Sequence, residues 1–337
     1  MRIAASTFSS RFKLLGGLLF GVAVAGAVFS LAFQEEPSFE EPDEKFSPPN
    51  EEPLEECSEP EPEMLGELVL KERDGLSIAV LQADGVKFAG LTHVGKKRAN
   101  NQDCFRLEQV GEQTLAIVCD GMGGHAGGEI ASQIATDMLW NVLSKKECSQ
   151  ARENYENMVE AFERADAAIN QRSSKDKDLE GMGTTAVIAS IERTSYVHSY
   201  LGDSRLYHLR DGAFIYQTLD HSVVRYLIEE GVIQEHEAKD HPYRSQLTSS
   251  LGGGPRSNKL TVDPKWDSEE SPCRKWISGD WLLLCSDGLN SELEDSEILE
   301  VLTQSNCPEE AVIKLKDRVL ETPARDNVTL IVAQRVD

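Results

Sequence analysis

Residues 114–128 read TLAIVCDGMGGHAGG. The run 114–119 is almost wholly apolar and stops at Asp120-Gly121. A short apolar run closed by a turn pair reads as a buried strand. An aspartate at the end of such a strand is held in place and reaches past the sheet into a cleft. The same arrangement recurs along the chain. Tyr200-Leu201 runs into Gly202-Asp203, and WLLLC at 281–285 runs into Ser286-Asp287-Gly288. Asp326-Asn327 stands directly before VTLIV at 328–332. One Asp-Gly is an ordinary turn signal. Four acids at strand ends form a pattern, and carboxylates that converge repel one another unless a cation lies between them. Oxygen donors of this kind select hard divalent ions such as Mg²⁺ or Mn²⁺. The glycines after Asp120 and Asp287 let the backbone approach such an ion closely. No His/Cys cluster of zinc-site spacing is present.

Working outward, residues 185–191 and 196–201 are further strand candidates. Residues 129–143 carry Ile130, Ile134 and Met138 at helical spacing, and 155–169 and 309–320 are also helix-like. Strands and helices mix without regular alternation. The expected class is therefore α+β and layered, rather than a doubly wound parallel sheet. No repeat of 20–50 residues is found.

The chain has 337 residues, 34 Lys plus Arg and 58 Asp plus Glu, for a net charge of −24. That balance argues against a nucleic-acid binder, whose footprint is basic. Half of the charge sits in residues 34–63, which hold thirteen acids, one lysine and seven of the thirteen prolines. Such a stretch cannot bury enough apolar surface to offset its ordering entropy, and is expected to be a disordered acidic linker. Residues 1–33 hold three basic residues and no acid, and 14–33 are uncharged throughout. Twenty uncharged, largely apolar residues suffice to cross a bilayer, so 1–33 is read as an uncleaved signal-anchor. A cleaved signal peptide ending near Ala23-Val24-Ala25 and an organellar transit peptide are the competing readings. Residues 64–85 are taken as a lead-in and 86–337 as the main domain.

Seven cysteines, at 57, 104, 119, 148, 273, 285 and 307, make an odd set without a Cys-x-x-Cys pair. They read as reduced thiols and not as a disulfide framework. None stands out as a nucleophile, since apolar surroundings raise a thiol pKa. The glycines at 121–128 lack both the Walker Lys-Ser/Thr and the Gly-x-Gly-x-x-Gly spacing of nucleotide loops. The loop Lys96-Lys97-Arg98 is a basic cluster in an acidic chain, and its guanidinium suits a phosphate. His125, His221 and His241 are candidate proton donors.

The ordered set resembles the bacterial-type PPM (protein phosphatase 2C) family of metal-dependent Ser/Thr protein phosphatases. It comprises Arg98-Ala99-Asn100-Asn101-Gln102-Asp103, Asp120 through Gly128, Gly181-Met182-Gly183-Thr184-Thr185 and Gly202-Asp203-Ser204-Arg205. Asp220-His221-Ser222, His241-Pro242, Ser286-Asp287-Gly288-Leu289 and Asp326-Asn327-Val328-Thr329 complete it. The resemblance implies a four-layer α-β-β-α sandwich of two antiparallel sheets flanked by helices, with a metal cluster at one end. It implies two Mn²⁺ or Mg²⁺ ions and a third, weaker one. Asp120 is then the bridging ligand, the Gly121 carbonyl a ligand of the second ion, and Asp287 and Asp326 ligands of the first. Asp203, with Asp287, corresponds to the third site. Arg98 is similar to the substrate-phosphate arginine, and Asp103 to an acid that orients metal-bound waters. Many members carry Glu where this chain has Gln102, which offers an oxygen without charge. Residues 220–258 resemble the family's flap.

The expected activity is metal-dependent hydrolysis of phosphoserine and phosphothreonine in proteins by a metal-activated water, with Arg98 and Asp120 as catalytic residues. Phosphoproteins are the expected partners, with a cognate Ser/Thr kinase and the membrane, and the chain is expected to be monomeric. A catalytically weak phosphoprotein sensor on the same fold and a broad-specificity phosphoesterase are the alternatives. Positive flanks direct the domain outward. Reduced thiols and a phosphoprotein substrate direct it to the cytoplasmic face, which is the face taken here.

Overall fold

The computed structural model describes residues 69–73, 76–123, 127–146, 150–253 and 260–336. The anchor and linker expected at 1–63 lie outside these residues. Among the described residues, no helix is long and apolar enough to cross a membrane.

Among the described residues, fourteen strands and six α-helices follow one another. The first five strands are β1 (Val69–Arg73), β2 (Leu76–Ala83), β3 (Val86–His93), β4 (Asp103–Val110) and β5 (Gln113–Met122). Two long helices come next, α1 (Gly127–Leu143) and α2 (Ala151–Ser174). Then come β6 (Gly183–Thr184), β7 (Ala186–Ile191), β8 (Ser195–Leu201), β9 (Arg205–Arg210) and β10 (Ala213–Gln217). After α3 (Val223–Glu229) stand β11 (Leu251–Gly252), β12 (Cys273–Lys275) and β13 (Trp281–Cys285). The chain closes with α4 (Asp287–Asn290), α5 (Asp295–Thr303), α6 (Pro308–Glu321) and β14 (Val328–Arg335).

One sheet has the order β1-β2-β3-β14-β13-β9-β10. The other runs β11-β6-β5-β7-β8-β12, with β4 also paired to β5. Every pairing between named strands is antiparallel. Alternation along the strands divides the core into three layers. On β5, Leu115, Ile117 and Cys119 pack on Ala131, Ala135 and Phe162 of α1 and α2. Leu283, Leu330 and Val332 of the first sheet pack on Val301, Val312 and Leu315 of α5 and α6. Ala116, Val118, Leu282, Leu284 and Ile331 meet between the sheets. Near-continuous apolar runs are what strands covered on both faces require. The layering is the α-β-β-α sandwich.

The segment 64–85, read from sequence as a lead-in, carries β1 and β2. Strand β2 is paired residue for residue with β3, and Ala79 and Leu81 are buried. Small residues and isolated polar ones weaken its apolar run, but tertiary packing outweighs local propensity here.

At the end of the sandwich away from the Asp-bearing turns, polar groups are buried between the sheets. Asp280 accepts from Arg210 Nε at 2.8 Å and Nη2 at 2.6 Å, and from the Ile277 amide at 2.8 Å. His208 Nε2 lies 3.0 Å from the same carboxylate, and its Nδ1 lies 3.0 Å from Tyr196 Oη. His198 bridges the Pro272 carbonyl and Tyr216 Oη, each at 2.8 Å. Burial holds His198 down to about 3 and lowers His208, so both rings are neutral near pH 7. The carbonyl can only accept, which puts the His198 proton on Nδ1. Burial opposes ionisation of Asp280, and the bonds from Arg210, the Ile277 amide and His208 together outweigh it, holding the carboxyl below its ordinary value. Asp280→Ala leaves these donors without their acceptor and is expected to cost about 2–3 kcal/mol, below the usual buried-pair figure because Arg210 is partly solvated. Urea unfolding checks this, with a lowered midpoint and an unchanged slope expected.

Candidate active site

The turns at the other end bring the carboxylates together. Strands β4 and β5 oppose Asp103 to Asp120 directly, so both side chains leave the same face of the sheet. On the facing sheet, β13 ends at Cys285, opposite Leu330 of β14, which places Ser286-Asp287 beside the start of β14 and Asp326. Asp103, Asp120, Asp203, Asp287 and Asp326 are each part-buried, at the cleft between the sheets.

Asp103, Asp120 and Asp326 are held by backbone, hydroxyl and guanidinium contacts. The Asp120 carbonyl accepts from Thr184 Oγ1 at 2.8 Å and from the Thr185 amide at 2.9 Å. The Asp120 amide donates to Thr185 Oγ1 at 3.1 Å, and that oxygen lies 2.7 Å from Ser204 Oγ, next to Asp203. The segment Gly181–Thr185, whose role sequence reasoning left unassigned, thus ties the Asp120 turn to the Asp203 turn. Ser286 Oγ donates to Asp103 Oδ2 at 2.7 Å, and Thr329 also bonds that carboxyl. Asp326 Oδ1 accepts from the Asn327 amide at 2.9 Å, and Oδ2 accepts from Arg98 Nη2 at 2.7 Å.

The backbone is as constrained as the side chains. A Cβ at Gly121 would stand 2.1 Å from the Gly128 carbonyl oxygen and 2.5 Å from that of Gln102. One at Gly288 would stand 1.8 Å from the Asn327 carbonyl oxygen. Only glycine allows these approaches.

The electrostatics are those of like charges crowded together. Burial first, then Asp103 and Asp287, push the Asp120 carboxyl well above its ordinary value. Burial and Asp287 do the same to Asp203. Burial, then Asp326, raise Asp287 to about 6, against a hydrogen bond with Asp120. Asp103 is raised to about 7 by burial, against its bonds from Ser286 and Thr329. Arg98 is the cation facing the cluster, its charge strengthened by the bond to Asp326 and by Asp120 and Asp287 nearby. Among the described residues, no three acidic, His or Cys side chains close on a single point. The carboxylates line the cleft. Their donor chemistry fits hard divalent ions: oxygen only, anionic, mutually repelling, with glycine where a backbone carbonyl must come close.

Other candidates fall elsewhere. The side-chain Nε2 of Gln102 lies 3.5 Å from the Gly123 carbonyl, and the Gln102 backbone carbonyl accepts from Gly121 N at 3.1 Å and Ser132 Oγ at 2.6 Å. It braces the Gly121 turn. His221 is held by Gly202, by stacking on Tyr200 and by Asp263 at 3.1 Å. His241 accepts from the Tyr243 amide within its own turn. His125 lies outside the described residues. Cys104, Cys119, Cys273, Cys285 and Cys307 are free thiols, and burial pushes Cys285 up to about 12. Thr184, Thr185, Ser286 and Asn327 are the site residues that sequence reasoning gave no role.

A sandwich of two antiparallel sheets with an acid cluster at its end and Arg98 bonded to one of the acids is suited to hard cations. The chain belongs to the protein phosphatase 2C family, whose model matches residues 89–317. The serine/threonine protein phosphatase PstP of Mycobacterium tuberculosis is 36% identical over 254 residues, which is 75% of this chain and 45% of that protein. This chain therefore spans under half the length of that relative. The structure of the S. agalactiae serine/threonine phosphatase aligns with a TM-score of 0.68 and 29% identity, over 75% of this chain and 100% of that one. The catalytic domain of PstP in complex with two manganese ions aligns with a TM-score of 0.62 and 32% identity, over 75% of this chain and 99% of that one.

Proposed function

We propose that this chain hydrolyses phosphoserine and phosphothreonine in proteins, with Mn²⁺ or Mg²⁺ as cofactor. The observation that carries the reading is that four strand-end aspartates line one cleft, near enough to raise one another's pKa, with Arg98 bonded to one of them. Asp120, the Gly121 carbonyl, Asp287 and Asp326 would hold two ions, and Asp203 with Asp287 a third. Bound there, the ions supply a water nucleophile at neutral pH and offset the charge of phosphoryl transfer. Arg98, half exposed at the mouth and hydrogen-bonded on one side only, binds the phosphate oxygens and orients the phosphoryl group. Asp103, held by Ser286 and Thr329, orients water within the cleft. No covalent phosphoenzyme is required. Residues 14–33 would tether the enzyme to the membrane, with the domain on the cytoplasmic face beside a Ser/Thr kinase that supplies its substrates.

The test is phosphate release from a phosphothreonine peptide by the full chain. Release is expected with Mn²⁺, is abolished by EDTA, and falls about a hundredfold in Arg98→Ala, the loss of one charge-assisted clamp. Release that EDTA leaves unchanged would sink the reading. For the tether, a fraction that stays with membranes after alkaline washing is expected, and deletion of 14–33 should free it.

A further inference from the structure

The loop 94–102 carries Arg98 and Gln102, and its five central residues, Lys96 to Asn100, are exposed. It is tied to the segment before β14 by the Lys96 amide, which donates to the Ala324 carbonyl at 3.0 Å, by the Arg98–Asp326 pair, and by one buried side-chain amide, that of Asn327. Asn327 is 2% exposed. Its Nδ2 donates to the Val94 carbonyl at 2.9 Å and to the Asn100 carbonyl at 3.0 Å. Its Oδ1 accepts from the Gln102 amide at 2.9 Å. One side chain thus engages the loop once before the basic cluster and twice after it. The same residue's backbone amide donates to Asp326 Oδ1, while Arg98 bonds Asp326 Oδ2. The orientation of the amide is dictated by its partners: two carbonyls face the donor end and one N–H faces the acceptor end. No other side chain of similar size offers two donors and one acceptor in that geometry.

We infer that Asn327 is a positioning residue, a staple that sets where Arg98 stands relative to the carboxylate cleft and so how the phosphate of the substrate is received. Asn327 is buried behind the loop and does not meet substrate itself. The inference rests on the reading of Arg98 as the phosphate-binding arginine. Misplacing a binding group by about 1 Å costs up to about a hundredfold in rate. A staple that acts through Arg98 also has a signature that general instability lacks: its loss should matter little once Arg98 is gone.

The experiment is a double-mutant cycle on the full chain, using the phosphothreonine peptide and inorganic phosphate as a competitive inhibitor. Asn327→Asp keeps size and acceptor and turns both donors into an oxygen facing two carbonyls. It is expected to lower kcat/KM about 30-fold, mostly through KM, and to weaken inhibition by phosphate by a similar factor. In the Arg98→Ala background the same change should cost no more than about threefold. An equal loss in both backgrounds, or phosphate inhibition left as in the unmutated chain, would overturn the inference. Amide hydrogen exchange of the unmutated chain gives a readout independent of activity and of whether variants fold. The Gln102 amide should exchange slowly, because its acceptor is buried. Exchange at the unprotected rate overturns the staple. If the unmutated chain releases no phosphate while the Gln102 amide is protected, the phosphatase reading has failed and the staple has not.

Discussion

Asp120→Asn is expected to lower phosphate release about a thousandfold or more, and to make the ion-free protein harder to unfold. The two effects have one cause. Asp120 is the acid most crowded by the others, with Asp103, Asp287, Asp203 and Asp326 all raising its carboxyl after burial has done so. An amide of the same shape removes a charge that the ion-free fold disfavours. It also removes the oxygen donor expected to bridge two ions. The several kcal/mol that a paired-ion site contributes to the transition state correspond to about a factor of a thousand, at about 1.4 kcal/mol per decade. The melting temperature in EDTA should rise by a few degrees, as relief of repulsion worth about 1 kcal/mol would give. Sites that pit charge against charge pay for function in stability. The checks are phosphate release and calorimetric melting of the same preparation. A variant that keeps its activity removes Asp120 from the chemistry, and one that melts lower without ions removes the crowding argument.

The parts of this site that sequence made legible are those with a local cause. An apolar run ending at an aspartate needs only its own residues to be read, and the run 281–285 coincides with β13. The helix at 129–143 begins two residues earlier than its apolar period, at Gly127, where Gly127 packs against Met182 and Gly128 against Gly121. What was not legible depends on partners far away in the chain. Ser286 is a turn residue until Asp103, from another sheet, is placed at its hydroxyl. Thr184 and Thr185 are strand residues until they are seen bonding Asp120. Asn327 reads as the neighbour of an acid, and its three side-chain bonds all reach back to 94–102. Gln102, weighed as a weakened ligand, uses its backbone carbonyl to fix the turn that presents Gly121. Residue type and spacing identified the groups that carry charge. The groups that aim them are ordinary hydroxyls and amides, and only topology distinguishes these from the many others in the chain.

The crowding of carboxylates also dictates how stability responds to pH and to metal. For an acid whose pKa is raised by folding, the folded chain holds its proton more tightly than the unfolded one. Its contribution is present below the unfolded pKa and is lost as pH rises through the folded pKa. Asp287, at about 6, and Asp103, at about 7, follow this sign, as do Asp120 and Asp203, which are raised well above the ordinary carboxylate value. Two buried histidines act in the opposite sense. His198, held down to about 3, and His208, also lowered, favour unfolding while the unfolded rings are protonated, an effect that fades as pH rises through about 6.5. The informative window is therefore pH 6.5 to 8, where the histidine effect dies away while the raised acids still titrate. In EDTA, stability should fall as pH rises across it, since the folded chain gives up protons there that the unfolded chain has already released. With Mn²⁺ the slope should vanish or reverse, because the ions bind only deprotonated carboxylates. Two sites filled at about a hundred times their dissociation constants add about 5 kcal/mol, so the gap between the Mn²⁺ and EDTA curves should be widest at pH 8. Urea midpoints at pH 6.5, 7.25 and 8, with each additive, measure this directly. An EDTA curve that rises through the window would mean that the carboxylates do not repel in the folded protein. Parallel curves would mean that the ions do not bind through them.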